Sequence, residues 1–137
     1  MAHEFTLSVV APDRSVVEDQ ATSVIAPGVE GYFGVMAGHV PLIAALKPGI
    51  LEYLDATNQR HFVYTGGGFA EVTGEHVTIL ADEAARAQEI DVSDAERRLE
   101  QARHALKGEP TEIDMAQAVL ELDRAIERLR AAKLNPR

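Results

Sequence analysis

Short segments of alternating apolar and polar residues make up the chain to about residue 80. Residues 5–10 read Phe-Thr-Leu-Ser-Val-Val, an alternation typical of a strand with one buried face. Turn-forming residues separate further predicted strands, which lie at 15–21, 22–26, 49–55, 61–64, 69–72 and 76–80. Residues 56–59 have the composition of a hairpin turn. We therefore predict an N-terminal antiparallel β-sandwich of about ten short strands.

The pattern changes near Ala81, after which Gly108 is the only glycine. Ser93 and Glu96 have the spacing of a capping box, which predicts the start of a helix. Apolar residues then recur at helical spacing on two segments separated by Lys107–Pro110: Ala95, Leu99, Ala102 and Leu106, followed by Met115, Val119, Leu122, Ile126 and Leu129. These segments predict a C-terminal antiparallel α-helical hairpin and an α+β protein with domains at 1–86 and 87–137.

The two apolar stripes of the hairpin are narrow and rich in alanine. Short helices gain most of their stability from tertiary packing. Because the stripes are narrow, they bury little apolar surface and stabilise the hairpin only modestly. The sequence leaves two outcomes open: a hairpin held weakly enough to change position, or one packed firmly on the sandwich.

The stretch Gly31–Gly49 is the most densely punctuated part of the chain, with four glycines and two prolines. Glycine permits backbone conformations that other residues resist, and proline fixes φ. Such a segment is either a tightly folded corner or a docking surface.

Composition and charge narrow the range of functions. The 137 residues are 46% apolar and include no cysteine, so disulfides and thiolate metal sites are excluded. The net charge of −9 argues against binding to nucleic acid. No apolar run approaches the roughly 20 residues that span a bilayer, and the first residues do not resemble a signal peptide. We expect a soluble cytosolic-type protein without direct membrane insertion.

Motifs for catalysis are missing from the sequence. The five histidines show no paired ligand spacing, so we predict no metal site. There is no phosphate-binding loop of the Walker type and no nucleophile elbow, and Gly66–Gly68 does not open a helix. The residues favour an interaction module over an enzyme.

Several motifs, in order along the chain, resemble the epsilon subunit of the bacterial F-type ATP synthase. They are Gly31-x-x-Gly34, Gly38-His39-Val40-Pro41-Leu42, Pro48-Gly49, Gly67-Gly68-x-x-Glu71-Val72 and Val77-Thr78-x-Leu80-Ala81-Asp82. The resemblance implies a non-catalytic subunit of the central stalk that couples proton translocation to ATP synthesis. Its implied partners are the gamma subunit, the membrane c-subunit ring and the alpha/beta catalytic subunits. The implied location is peripheral, at the cytoplasmic face of the bacterial inner membrane.

The resemblance also implies functional surfaces. A contact to the ring and the gamma subunit is expected at Gly31, Tyr32, Phe33, Gly34, Gly38, His39 and Pro41. Tyr32 and Phe33 stand where the family often has a polar residue, so either these rings make the contact or Phe33 fills the sandwich. The family's hairpin either folds on the sandwich or extends to the catalytic head, where it restrains hydrolysis. Docking on the head is expected to use the basic residues Arg124, Arg128, Arg130 and Lys133.

Some family members bind ATP at the hairpin through an Ile/Leu-Asp-x-x-Arg-Ala motif. This chain retains Asp91, Arg124 and Arg128 in type, but Asp94 replaces the motif's arginine. A carboxylate facing phosphate groups is unfavourable, so we expect no cofactor and no regulatory ATP. Asp94 instead suits the first turn of a helix and can pair with Arg97 or Arg98.

A second interpretation of the whole chain comes from a different functional class. It is a free-standing β-sandwich that binds a ligand and dimerises through its hairpin.

Overall fold

A computed structural model describes residues 3–134. Seven strands are followed by two helices, which confirms the predicted order of sandwich and hairpin. The strands are β1 (Phe5–Ala11), β2 (Arg14–Gly28), β3 (Gly31–Met36), β4 (Leu42–Asp55), β5 (Arg60–Thr73), β6 (His76–Ala81) and β7 (Ala84–Arg86). A single 3-10 turn, Ala87–Glu89, leads to α1 (Val92–Leu106) and α2 (Met115–Lys133).

The sheet closes on itself because β1 pairs with both β6 and β2. The strand order is β1-β6-β5-β4-β2-β3, and β7 pairs with β5. The β1–β6 pair is parallel, whereas the other pairs are antiparallel. The enclosed core is aliphatic with a few aromatic rings, and its most buried members include Leu7, Val9, Leu51, Val63 and Ile79.

The predicted number of about ten strands is wrong, because several predicted strands are continuous. Residues 15–21 and 22–26 form the single strand β2, and β4 and β5 each run for 14 residues. Within β4 and β5, Pro48 pairs with Gly66, beside Gly67 and Gly68, which have φ of 102° and 132°. A Cβ on Gly68 would lie 2.0 Å from the Leu80 carbonyl oxygen. Glycine therefore lets the strand bend from one layer into the next, where the sequence suggested a break.

The start of α1 also differs from the prediction. Asp91 is the N-cap, and its carboxylate accepts a hydrogen bond of 3.0 Å from the backbone N–H of Asp94. The helix thus begins before Ser93, which lies within its first turn. The Asp114 carboxylate caps α2 by accepting a hydrogen bond of 2.8 Å from the Gln117 N–H. This helix begins after the predicted break at Lys107–Pro110.

We expect Asp91→Ala to destabilise the chain by about 1 kcal/mol, since the N-cap hydrogen bond is lost. Ser93→Ala is the matched control, and it should change the free energy of unfolding by less than about 0.5 kcal/mol. Urea unfolding measures both. A larger loss for Ser93→Ala than for Asp91→Ala would mean that the helix begins at the position expected from the sequence.

The two helices contact each other, and the fully buried residues of both helices are alanines. Ala95, Ala102 and Ala105 of α1 and Ala118, Ala125 and Ala131 of α2 are buried. The predicted stripe of α2 is therefore partly wrong, because Met115, Val119 and Ile126 are 53%, 53% and 41% exposed. Because alanine has no side-chain atoms beyond Cβ, the buried surface of the hairpin is small for each residue.

The hairpin lies on the sandwich through α2, which contacts β4 and β5. Ala131 packs with Ile50 and Tyr64 in a small second core, with Phe62 and Ile90 at its edge. This cluster is much smaller than the core of the sandwich. Polar contacts at the same interface consequently matter more for holding the hairpin in place.

Candidate functional site

Two arginines of α2 fasten the hairpin to the sandwich, in a group that we call the hairpin latch (Tyr64, Glu83, Arg124 and Arg128). The Tyr64 hydroxyl donates to Glu83 Oε1 at 2.6 Å. Arg128 donates to the same oxygen, and its guanidinium lies 5.0 Å from the centre of the Tyr64 ring. Arg124 Nε donates to the Gly66 carbonyl at 3.1 Å. Since the strands supply Tyr64 and Gly66, the latch joins α2 directly to β5.

Burial makes the loss of one partner from this group more costly than the loss of one partner from a surface ion pair. The side chains of Arg124 and Arg128 are only 15% and 12% exposed. Burial and the adjacent Glu83 carboxylate raise the pKa of Tyr64, so its hydroxyl stays protonated and continues to donate. Glu83 is the one carboxylate that both Tyr64 and Arg128 bind, which makes it the central group of the latch.

A cleft of about 220 Å³ lies beside the latch and contains part of the expected nucleotide site. Asp91 and Arg128 line it, together with four further charged residues: Glu83, Glu89, Asp94 and Arg98. Asp94 pairs with Arg97 at 2.7 Å and with Arg98 at 2.9 Å, as predicted. The hydrogen bond from Arg97 lowers the pKa of Asp94, which therefore stays ionised. Four carboxylates against two guanidinium groups make this cleft a poor environment for a polyphosphate.

The four basic residues predicted to dock on the catalytic head are divided by the fold. Arg124 and Arg128 are held by the sandwich. Arg130 pairs with Glu127 at 2.6 Å and is 59% exposed, and Lys133 is exposed at the end of α2. In this conformation a partner can reach Arg130 and Lys133, whereas access to the other two requires the latch to open.

The predicted ring-facing segment runs along the length of the edge strand β3, from Gly31 opposite Gly28 to Met36 opposite Ser23, and into the turn that follows. Gly31, Gly34, Gly38 and Pro41 are exposed, and His39 is half-buried. Gly31 and Gly38 have φ of 133° and 81°, values that favour glycine. Met36 and Val40, which were not selected from the sequence, are 67% and 70% exposed on either side of Gly38.

The two aromatic rings in this segment have different environments. Phe33 is half-buried and packs against the sandwich core. Tyr32 is 48% exposed, and its hydroxyl accepts a hydrogen bond of 3.1 Å from the Ile50 N–H. Tyr32 also lines a cleft with Ile126 and Arg130 of α2. Tyr32 thus lies between the sandwich and the hairpin.

An apolar strip, formed by Ile43, Phe69 and Leu80, crosses the outer face of β4, β5 and β6. These side chains are 74%, 56% and 55% exposed. Phe69 pairs directly with Leu80, and Ile43 pairs with Glu71, two residues along β5, so the three share one face. The strip was missed in the sequence because Phe69 and Leu80 lie within predicted strands and could equally have faced the core. Ile43 lies in the Gly31–Gly49 stretch, where no strand bounds were predicted. Contiguous exposed apolar side chains of this kind mark a surface that binds another protein.

Comparisons with known proteins agree with this architecture. The β-sandwich domain of the ATP synthase delta/epsilon chain matches residues 4–87, and the long α-helix domain of that chain matches residues 88–133. The ATP synthase epsilon chain of Moorella thermoacetica is 41% identical over 92% of this chain and 94% of its own length. The ATP synthase epsilon chain of Nitratidesulfovibrio vulgaris is 40% identical over 95% of this chain and 96% of its own length.

Two solved structures have a similar fold. A chain of the Euglena gracilis mitochondrial ATP synthase, in its OSCP/F1/c-ring assembly, is 28% identical with a TM-score of 0.78. The match covers 96% of this chain and 82% of that one. A chain from the central stalk and c-ring of the Tetrahymena thermophila enzyme has a TM-score of 0.59 over 98% of both chains, and at 13% identity it supports the fold alone.

The fold, with the exposed Gly31–Pro41 segment and the apolar strip on its surface, defines an interaction subunit. It has two parts, a sandwich and a helical hairpin docked on it. The chain belongs to the ATP synthase delta/epsilon chain family. This confirms the family suggested by the sequence motifs and a subunit that is not itself catalytic. It also favours this interpretation over a free-standing ligand-binding module.

Proposed function

We propose that this chain is the epsilon-type subunit of the central stalk of an F-type ATP synthase, where it couples proton translocation to ATP synthesis. The observation that carries the proposal is the apolar strip of Ile43, Phe69 and Leu80, an uncovered patch that crosses three neighbouring strands of the sheet. The gamma subunit covers this strip in the assembled stalk. A non-catalytic subunit needs such a fixed contact in order to turn with the rotor.

The exposed segment around Gly31–Pro41 faces the c-subunit ring in this proposal. Its outermost apolar side chains are Met36 and Val40, with Tyr32 at the side nearer to α2. Neither helix in residues 3–134 is long and apolar enough to cross a membrane. The chain is attached at the cytoplasmic face of a bacterial inner membrane through its contact with the ring.

The hairpin regulates hydrolysis by moving between two positions. With the latch closed, Arg124 and Arg128 bind the sandwich and are withheld from the alpha/beta subunits. When the latch opens, all four basic residues of α2 become available to an acidic surface on the catalytic head. Complementary charge favours such docking, and it weakens at high salt.

We expect a chain that ends at Lys107 to bind the gamma subunit and assemble normally, while ATP hydrolysis by the complex rises several-fold. The truncation removes α2 with all four basic residues but leaves the apolar strip in place. A several-fold change corresponds to a restraint of about 1 kcal/mol. The change is measured by comparing steady-state ATP hydrolysis of complexes that carry the full-length chain with that of complexes that carry the truncated chain. Failure to bind gamma would contradict the rotor assignment, and unchanged hydrolysis would contradict the regulatory role.

ATP is not expected to act through the hairpin cleft, because Asp94 and Glu83 face it. Calorimetric titration of the isolated chain should show no binding at micromolar ATP. Asp94→Arg restores the residue of the family motif and should increase affinity, since it removes a negative charge and adds a positive one. Clear heat with one-to-one stoichiometry from the unaltered chain would show that Asp94 does not prevent binding.

A further inference from the structure

Three potential metal ligands from three strands converge beside the β4–β5 turn. They are Asp19 of β2, Asp55 at the end of β4 and His61 near the start of β5. One ligand atom from each lies within 4.8 Å of the other two, and all three residues are half-buried. His61 Nε2 is 2.7 Å from Asp55 Oδ2. The group therefore combines one imidazole nitrogen with two carboxylate oxygens.

Neighbouring contacts orient each of the three side chains. Asp55 Oδ1 accepts from the backbone N–H groups of Thr57 and Gln59, both at 2.9 Å, so Oδ2 is left to face His61. The His61 ring stacks on Tyr53 with 4.7 Å between centroids. The Tyr53 hydroxyl in turn donates to Asp19 Oδ2 at 3.0 Å. Fixed ligands supported by a second layer of hydrogen bonds are characteristic of metal sites.

The charges of the group call for a cation. Asp55 forms a salt bridge only with His61 among residues 3–134, and Asp19 forms none there. The guanidinium of Arg86 donates to the Tyr53 hydroxyl at 3.4 Å. Two half-buried carboxylates this close repel each other unless a positive charge lies between them.

We propose that Asp19, Asp55 and His61 form a Zn²⁺ site that ties β2 to the β4–β5 hairpin, with water as the fourth ligand. Zinc accepts imidazole and carboxylate ligands in tetrahedral geometry, with bonds of about 2.0–2.2 Å. Atoms bonded to one such ion lie roughly 3.5 Å apart, so the observed separations need only small side-chain rotations. Zinc takes the place of the hydrogen bond between His61 Nε2 and Asp55 Oδ2, and any proton on Nε2 is released to solvent. The imidazole selects zinc over magnesium, which prefers oxygen ligands.

Calorimetric titration of the full chain with zinc chloride alone tests the site. We expect one Zn²⁺ per chain, and a higher melting temperature in zinc than in EDTA. Asp19→Asn removes a charged ligand but can keep the hydrogen bond with Tyr53, and it should weaken zinc binding at least about tenfold. Magnesium chloride should give no comparable effect.

The matched control is His104→Gln. His104 also lies beside carboxylates, those of Glu100 and Glu109, but its side chain is 50% exposed at the end of α1. This variant should bind zinc like the unaltered chain. His61→Gln serves as a second test if circular dichroism shows that Asp19→Asn is unfolded. Lack of stoichiometric zinc binding, binding unaffected by both Asp19→Asn and His61→Gln, or binding lost in His104→Gln would each overturn the proposal.

Discussion

Replacing Phe69 by aspartate is expected to weaken binding of the isolated chain to the gamma subunit by roughly 30-fold, about 2 kcal/mol. Phe69 is the aromatic residue at the centre of the apolar strip, between Ile43 on β4 and Leu80 on β6. Aromatic side chains near the middle of an interface contribute most of its binding energy. A buried carboxylate without a partner adds its own desolvation cost.

Val119→Asp is the control for this substitution. Val119 is 53% exposed, close to the 56% of Phe69, but it lies on α2 away from the strip. Both variants should fold like the parent chain, because neither side chain belongs to the core. Equal affinities of the parent chain and Phe69→Asp, measured calorimetrically, would mean that gamma binds elsewhere.

Glu83→Gln is expected to shift the hairpin from the docked to the extended position by about tenfold. Glu83 accepts hydrogen bonds from both Tyr64 and Arg128, and the neutral amide loses the charge-assisted contact. Hydrogen bonds to charged groups contribute roughly 1.5–3 kcal/mol. Because the Glu83 side chain is 31% exposed, the lower end of this range applies. The resulting increase in the extended form should lower ATP hydrolysis, opposite to the effect of removing α2.

Asp82→Asn is the matched control, since Asp82 is 63% exposed and lies 3.9 Å from Arg124. The chain has no cysteine, so Glu75→Cys with Glu112→Cys allows two dyes to report the distance between sandwich and hairpin. Glu83→Gln should lengthen that distance in the isolated chain, whereas Asp82→Asn should leave it unchanged. If both variants keep the parent distance and hydrolysis, the latch does not hold the hairpin.

The sequence predicted the order and type of the elements because local patterns determine them. The alternation at Phe5–Ala11 and the loss of glycine after Ala81 depend only on neighbouring residues. Strand continuity was not predictable in the same way. Gly66–Gly68 looks like a break in the sequence, but pairing with β4 and β6 carries β5 through a bend.

The surfaces were predicted less well, since they depend on contacts between distant residues. Tyr64, Glu83 and Arg128 are separated by 19 and 45 residues and meet only when α2 docks on β5. The seam between the helices was misjudged because bulky residues were expected inside, whereas Ala118 and Ala125 are buried and Val119 is exposed. The group of Asp19, Asp55 and His61 has no signature in sequence spacing, because its ligands come from three strands.

Affinity purification of the tagged chain from native membranes, with identification of every copurifying protein, tests the central claim most directly. The rotor assignment predicts recovery of the gamma subunit, the c-subunit ring and the alpha/beta subunits in one complex, with gamma depleted when the Phe69→Asp variant is used as bait. Recovery of the chain by itself, or as a dimer without any of these subunits, would contradict the assignment.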